Sequence, residues 1–432
     1  MTDSLNQGQR DAAEAFFAFL FSDEKEFIIS GRAGTGKSYL MSYLIDKIMP
    51  RYFEMCGLLG IEPNYEQVVL TATTNKAAEV LAEATHRATS TIHSFLNLRV
   101  MEDYATGTSK LKRTDAWKVH EKHIVQVDEC SMIDTPLRNT LLEGTHNSKI
   151  VYVGDHCQLA PVTETISPVY RTNAPFFELT EQMRTGVAEI NQLHDQLRHT
   201  VETGEFFPIE TVPGIIDWLD DEQMEQTIQD VFLAPERSSR ILAYTNRRVN
   251  EFNDHIRGLR NLPNHYTVGE SLVSASATTI RKESISVEEE LSIVAMADRS
   301  TMIPIDHDVQ LEVCYSTLSR KRGGYIEKVP VPVDREHYNA LIKYYSRVKN
   351  WGAYFKLKRD FPDLRPIDSS TIHKSQGSTY DSVFVDLGNI STCHNADQVA
   401  RMLYVAMSRA KHRIYLYGNL ADKYGGVIHK GI

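Results

Sequence analysis

Residues 31–38 read GRAGTGKS, an order of residue types suited to cradling phosphate oxygens. Glycines let successive backbone N–H groups turn inward, and a helix starting at the end of the loop adds its dipole. Gly31, Ala33, Gly34, Thr35 and Gly36 would form the cradle, Lys37 would reach the β- and γ-phosphates of a nucleotide, and Ser38 would hold Mg2+. Two later segments offer the rest of a phosphoryl-transfer site. In IVQVDECSM (124–132) an apolar run ends in two carboxylates, which resist desolvation unless they face a site. Asp128 is the candidate metal partner beside Ser38, and Glu129 the candidate base that orients or deprotonates the attacking water. In VGDHCQLAPV (153–162), Gln158 carries an amide that both donates and accepts, so it can bridge a γ-phosphate and a water. The cofactors implied are ATP and Mg2+.

Such groups must be held at the ends of strands. Phe27-Ile28-Ile29, Val68-Val69-Leu70, Ile124–Val127 and Ile150–Val153 read as buried strands. Residues 38–49 read as a helix with Leu40, Met41, Leu44, Ile45 and Ile48 on one face and Pro50 as its stop. This alternation predicts a parallel sheet covered by helices. A second set, Ile241–Tyr244, Val383–Leu387 and Ile414–Tyr417, predicts a second α/β domain. Between its members, residues 266–334 are rich in Val, Thr and Ser and contain Gly323-Gly324, which suits a small β domain. Residues 335–361 then read as helical, ended by Pro362. Their stretch KYYSRVKNWGAYFKLKRDF (343–361) mixes six basic with six aromatic residues. That composition suits a helix packing its aromatics inward, and it also suits stacking on bases. Residues 97–118 are polar, basic and turn-rich, as in a projecting hairpin.

The bulk numbers narrow the classes. Over 432 residues, 42% apolar and 24% charged is ordinary globular composition. No run approaches the roughly 20 apolar residues that span a bilayer, and no basic segment leads into an apolar one at the start. No membrane contact and no signal peptide are therefore expected. Cys56, Cys130, Cys157, Cys314 and Cys393 are far apart, which argues against zinc and disulfides and suits a reducing cytoplasm. The 16 histidines form no metal-ligand constellation. A net charge of −10 excludes a uniformly basic nucleic-acid binder but not a basic channel on an acidic body.

In their order and spacing GRAGTGKS, VDECSM and VGDHCQLAPV resemble the motifs of superfamily-one helicases, and the remaining motifs of that family are present. LNQGQ (5–9) resembles the N-terminal glutamine motif, with Gln9 as reader of adenine. LTATTNKAAEVL (70–81) and STIHSFL (90–96) resemble the motifs that grip a nucleic-acid strand. LTEQMRT (179–185) resembles the motif that supplies an arginine, here Arg184. ILAYTNRRVNEFN (241–253) resembles the opening of the second motor domain. STIHKSQGSTYDSVFVDL (370–387) and LYVAMSRAKHRIYL (403–416) resemble its last two motifs, with Gln376 and Gly377 in the first and a second arginine, Arg409, in the other. The strand-gripping segments look most like the Dda- and RecD-like branch. Cys130 departs from the small apolar residue usual after Asp-Glu, and the insert matches only in size and texture.

The resemblance implies an α/β fold of two RecA-like motor domains. The first spans 1–96 and 119–185, with a short hairpin pin at 97–118. The second spans 186–265 and 368–432, with a small SH3-like β-barrel and helix inserted at 266–367. It implies a monomeric ATP-driven motor that acts on single-stranded DNA and single-strand/duplex junctions, works with replication proteins, and moves 5′ to 3′ in phage-type replication or recombination. The expected location is the cytoplasm, that of the host if the chain is phage-encoded. Lys37, Glu129, Gln158, Arg184 and Arg409 would act on the phosphates, the arginines neutralising growing γ-phosphoryl charge. Thr73, Thr74, Lys76, His93, Ser94, Tyr104, Thr371, His373 and Lys374 would contact the strand. The room for only about 20 residues in the first insert also favours the 5′-to-3′ branch. Two alternatives remain at this point: an RNA helicase or remodelling translocase of the same superfamily, and a slowly hydrolysing ATPase switch.

Overall fold

The computed structural model describes residues 5–161, 164–181, 186–234 and 238–429. They fall into two compact units. One is bounded by Met1–Leu98, Arg113–Trp218 and Ser375–Ile432, and the other by Arg99–Lys112 and Leu219–Lys374. Residues 186–218 and 375–432, which the motif order groups with 238–265, thus pack within the first unit.

The elements that bear on function begin with α1 (Gln7–Leu20), β1 (Glu26–Gly31), α2 (Lys37–Tyr43), β2 (Gln67–Ala72), α3 (Asn75–Thr85) and β3 (Thr89–Thr91). Next come a hairpin, β4 (Leu98–Asp103) and β5 (Thr108–Arg113), then β6 (His123–Asp128), β7 (Lys149–Gly154), β8 (Phe176–Leu179) and α4 (Ala188–Thr203). After β9 (Ile216–Leu219), β10 (Ser239–Ala243) and α5 (Asn246–Leu259) comes the insert. It contains β11 (Ser271–Ser274), β12 (Glu290–Met296), β13 (Thr301–Pro304), β14 (Gln310–Arg320), β15 (Tyr325–Pro332), α6 (Arg335–Arg347), α7 (Trp351–Asp360) and β16 (Leu364–Pro366). The chain ends with β17 (Ser369–Thr371), β18 (Tyr380–Asp386), α8 (Ala396–Met407) and β19 (Ala410–Tyr417).

In the first unit the strand order is β8-β1-β7-β6-β2-β3, all parallel, with Ile28 opposite both Phe176 and Tyr152 and Val69 opposite Val125. Parallel sheets bury both faces, so their strands are apolar throughout. Phe27 and Ile29 join Phe16, Leu40, Leu44 and Val153 on one face, while Ile28 joins Val125, Ile150 and Tyr152 on the other. β18 and β19 are also parallel, with β9 beside β19. In the second unit β10 and β17 pair in parallel. Its insert is an antiparallel sheet in the order β13-β14-β12-β11-β16, with β15 also on β14. Register shifts between Ile293 and Ala295 and between Ser316 and Leu318 bend it around Leu272, Leu291, Ile293, Leu318 and Val329. These are the expected buried strands and the expected β domain, in an α/β architecture of parallel strands.

Two sequence expectations need correction. Pro50 does not stop a helix. The chain passes through a π-helical turn, Leu44–Ile48, and Pro50 sits in the first turn of a further helix, Met49–Leu59, where its missing N–H costs nothing. The helical stretch 335–361 is also broken into α6 and α7. Lys349 adopts a left-handed φ of 57°, and Asn350 caps α7 by accepting from Ala353 N at 3.1 Å.

Candidate active site and nucleic-acid interface

The loop between β1 and α2 turns on Gly34 (φ 87°) and on Gly36 (φ 79°), the N-cap of α2. A Cβ on Gly31 would lie 2.7 Å from Thr35 Oγ1 and 2.9 Å from the Leu179 carbonyl oxygen, so only glycine fits. Thr35 closes the loop by donating to Arg32 O at 2.9 Å. Lys37 folds back onto the loop, its Nζ donating to Gly31 O (2.6 Å) and Arg32 O (3.0 Å). Gln9 is fully buried; its amide donates to Thr35 O at 3.1 Å and accepts from Asn6 N at 3.1 Å within the capping box of α1. It therefore fastens α1 to the phosphate loop, and each end of the amide retains a second hydrogen-bonding position.

Asp128 ends β6 and Glu129 follows in a left-handed conformation (φ 53°). Burial and Glu129 push the Asp128 carboxyl up to about 7, while Lys37 pulls it down. Glu129 is anchored through its backbone, its carbonyl accepting from Thr73 Oγ1 at 3.2 Å, while its buried Oε2 has no partner. Past the end of β7, burial pushes the Asp155 carboxyl up, but Arg198 and Lys37 outweigh it and hold it below the usual range. Gln158, three residues later, closes a turn with its N–H on Asp155 O at 3.1 Å and is buried, and its Oε1 also lacks a partner. Gln376 donates to Ser131 Oγ at 3.0 Å, which joins the STIHKSQG segment to the Asp-Glu turn, and Gly377 lies beside Glu129 with φ 78°.

Arg409 is buried just beyond α8. Its Nε donates to Val405 O, Nη1 to Ser378 O and Nη2 to Ser408 Oγ, leaving two of five N–H groups for a ligand. Close by, His194 on α4 donates from Nε2 to Met407 O at 3.1 Å. Burial holds His194 down at about 4, helped by Arg409 and Arg32, so it is neutral and both arginines lie near it. Arg184 lies outside the described residues.

The strand-contact candidates divide between the units. In the first, Thr74 caps α3 by accepting from Ala77 N (3.1 Å), Lys76 faces Glu79 at 3.7 Å, and Ser94 is exposed. In the second, Thr371 is buried at the end of β17, His373 lies 6.5 Å from the Tyr244 ring, and Lys374 pairs with Glu288 at 2.6 Å. The sequence parallel S-T-I-H in each unit proves to be a structural one. Thr91 ends a short parallel strand and accepts from Ser94 N at 3.1 Å, and Thr371 does the same for Lys374 N at 3.4 Å. Burial holds both His93 and His373 below the usual imidazole range. Tyr104, at the hairpin tip, packs edge-on to Phe355 of α7 at 5.0 Å. Beside it Gly107 lies flat on Trp351, where a Cβ would come within 2.3 Å of the ring.

Sequence reading missed the groups that join these loops. Arg32 pairs with Asp195 on α4. Arg198 reaches Asp155 (2.9 Å), Glu178 and Glu202 (3.1 Å), and so neutralises the acidic groups that gather around His156. Arg401 and Tyr404 of α8 also reach the Asp155–Gln158 loop. None has a local signature for its partner: Arg32 is a loop residue between the glycines, and Asp195, Arg198, Arg401 and Tyr404 are single charged or aromatic residues in helical patterns. Of the six aromatics of 343–361, Tyr345, Phe355 and Phe361 are buried, Trp351 and Tyr354 are half-buried, and Tyr344 is exposed.

A glycine loop between a parallel strand and a helix, with a carboxylate pair and a glutamine beyond neighbouring strands, defines a phosphate-loop nucleoside triphosphatase. Comparison with known proteins carries this further. A model of the AAA domain matches residues 4–211, and one of the UvrD-like helicase C-terminal domain matches residues 366–417. The chain is 24% identical over 463 residues to the ATP-dependent DNA helicase dda of Enterobacteria phage T4, covering 96% of this chain and 99% of that one. It is 24% identical over 505 residues to an uncharacterized protein of Acanthamoeba polyphaga mimivirus, covering 95% and 99%. Among solved structures, Pif1 helicase from Bacteroides in complex with ADP-AlF3 and single-stranded DNA matches with a TM-score of 0.53 at 14% identity, over 99% of this chain and 95% of that one. A second Pif1 structure, of DNA unwinding at forked duplex DNA, matches with 0.52 at 15% identity, over 99% and 94%. The two structures share the fold. The chain belongs to the superfamily-one helicases, as an ATP-dependent DNA helicase.

Proposed function

We propose that the protein is a monomeric motor that moves 5′ to 3′ along single-stranded DNA, fuelled by ATP, and opens the duplex at junctions during replication or recombination. The observation that carries this reading is a set of three buried side-chain oxygens without partners: Glu129 Oε2, Gln158 Oε1 and Gln376 Oε1. Leaving such an atom unsatisfied costs about 1–3 kcal/mol, which a protein tolerates where a ligand completes the bond. Here the donors would be waters that come with the triphosphate, the attacking water among them. Glu129 orients or deprotonates that water, Gln158 bridges it to the γ-phosphate, and Lys37, Arg184 and Arg409 neutralise the growing charge. Burial and the neighbouring Glu129 disfavour the Asp128 carboxylate more than Lys37 favours it, so Asp128, with Ser38, would take a further cation, a magnesium ion. Bound there, the ion would neutralise phosphate charge.

The motor domains are assigned to 1–96 with 119–185 and to 186–265 with 368–432; the pin is 97–118 and the barrel-and-helix insert 266–367. Gln9 reads the adenine, and Thr73, Thr74, Lys76, His93, Ser94, Tyr104, Thr371, His373 and Lys374 line the strand. Support for DNA comes from the phage relative and from the Pif1 structures named for single-stranded and forked DNA. Support for direction comes from the strand-gripping motifs and from a first insert that amounts to the two six-residue strands β4 and β5. A phage relative also suits work in a host cytoplasm.

The test is unwinding of DNA and RNA duplexes carrying a 5′ or a 3′ tail. Opening only of DNA with a 5′ tail is expected. Opening only from a 3′ tail would reverse the assigned direction and leave the ATPase assignment standing.

A further inference from the structure

Arg401 has no part in the roles above, yet it is almost fully buried, at 8% exposure, in the middle of α8. Both N–H groups of its Nη1 are spent on one loop: they donate to the carbonyl oxygens of His156 at 2.7 Å and Gln158 at 2.8 Å. Its Nε is held by Asp397, one turn earlier, at 3.1 Å. The same helix sends Tyr404, whose hydroxyl donates to Asp155 Oδ2 at 2.6 Å. Asp155 Oδ1 accepts from Arg198 Nη1 at 2.9 Å and from Cys157 N at 3.1 Å. The loop Asp155–Gln158 is thus fastened to α8 at both ends, by a carboxylate at its start and a carbonyl at its finish. The residue so held is the one whose side-chain Oε1 is buried and unpartnered.

We propose that Arg401 is a positioning residue for ATP hydrolysis, which sets the backbone of Gln158 so that its amide meets the γ-phosphate and water. Reacting groups must be held within about 0.5 Å of productive geometry, and a carboxamide on a short side chain follows its own backbone. Arg409 lies two residues beyond the end of α8, so one helix places both a charge-neutralising arginine and the glutamine. A shift of α8 moves the two together, which links γ-phosphate sensing to the C-terminal motif. A planar guanidinium spreads its donors, so Nη1 meets two carbonyls while Nε meets Asp397; the three donors of an ammonium sit on one nitrogen and do not span both positions. The inference rests on the reading of Gln158 given above.

The test uses the full chain with single-stranded DNA, in the variants Arg401→Lys, Asp397→Asn, Gln158→Ala and each of the first two combined with Gln158→Ala. Arg401→Lys should lower kcat about tenfold or more, with KM for ATP changed less than about twofold, the split expected when an interaction made only in the transition state is lost. Asp397→Asn, whose side chain is 43% exposed, should fold normally and lower kcat about threefold. Neither change should slow the Gln158→Ala enzyme further, because both act through that amide. Multiplying losses in the double variants, or normal kcat in Arg401→Lys and Asp397→Asn beside a slow Gln158→Ala, would overturn the role of Arg401 alone. Normal turnover in Gln158→Ala would overturn both the inference and the reading of Gln158. A common fall in melting temperature with unchanged kcat would make Arg401 a purely structural clamp.

Discussion

The phosphate loop and the tip of the β4–β5 hairpin are held in opposite ways. Around the phosphate loop the polar groups are buried or half-buried, and most are tied to the protein, apart from the unpartnered oxygens of Glu129, Gln158 and Gln376. Lys37 rests on two carbonyls, Gln9 spans Asn6 and Thr35, and Asp155 is shared by Arg198 and Tyr404. The hairpin has no core of its own. Every residue of Thr108–Arg113 is exposed, and its tip stays in place by leaning on α7, with Gly107 on Trp351 and Tyr104 on Phe355. Phosphoryl transfer depends on groups preorganised before the charge develops, which buried networks provide. As the proposed wedge at a duplex, the hairpin needs stiffness with an accessible surface, and α7 supplies the stiffness. Chemistry and strand separation should therefore be separable by mutation.

The strongest test of that separation is Lys37→Ala. Hydrolysis should fall by a factor of about a thousand or more, while affinity for single strands stays within about twofold, since the lost contact acts on phosphate charge in the transition state. Turnover measured beside strand binding checks it; near-normal turnover would remove the phosphate loop from the site. Glu129→Gln should slow hydrolysis about 10²–10⁴-fold, the usual contribution of a positioned base. ATP should still bind. Loss of ATP binding itself, measured by titration of the variant, would mean the two carboxylates have been assigned the wrong way round.

On the hairpin side, Gly107→Val should leave strand-stimulated hydrolysis near normal and reduce unwinding about tenfold. Overpacking costs about 1–3 kcal/mol, and here the bulk falls on the Trp351 ring at a backbone with φ 70°. If unwinding and hydrolysis fell in proportion, the two regions would not be separable. The smallest effect concerns Lys374. Glu288→Gln frees its ammonium from the carboxylate 2.6 Å away. Partly exposed ion pairs are worth up to about 1 kcal/mol, so single-strand affinity should rise by about two- to fivefold. The slope of log affinity against log salt should steepen by up to about 0.7, one extra phosphate contact on a single strand. Weaker binding would make Glu288 a support for Lys374 instead of a competitor with phosphate.

What could be read from the sequence was whatever the chain builds from neighbouring residues. GRAGTGKS needs only a strand before it and a helix after it. Asp128, Glu129 and Gln158 follow apolar runs directly, and the S-T-I-H frames carry their own capping threonines. Local geometry is encoded locally, so the order of such motifs already implied two α/β domains and a triphosphate site. The breaks at Leu44–Ile48 and at Lys349-Asn350 were harder to see, because a π turn and a left-handed residue alter helical periodicity without changing which residues are apolar. Other decisions belonged to the tertiary structure alone. Gly107 meets Trp351, Arg32 meets Asp195, Lys374 meets Glu288, and Arg401 grips a carbonyl 243 residues before it. A single arginine or glycine in a helix or turn reads the same whatever it faces. Which backbone oxygen or ring it meets depends on how whole elements pack, and the burial that makes such a contact strong exists only once they have done so.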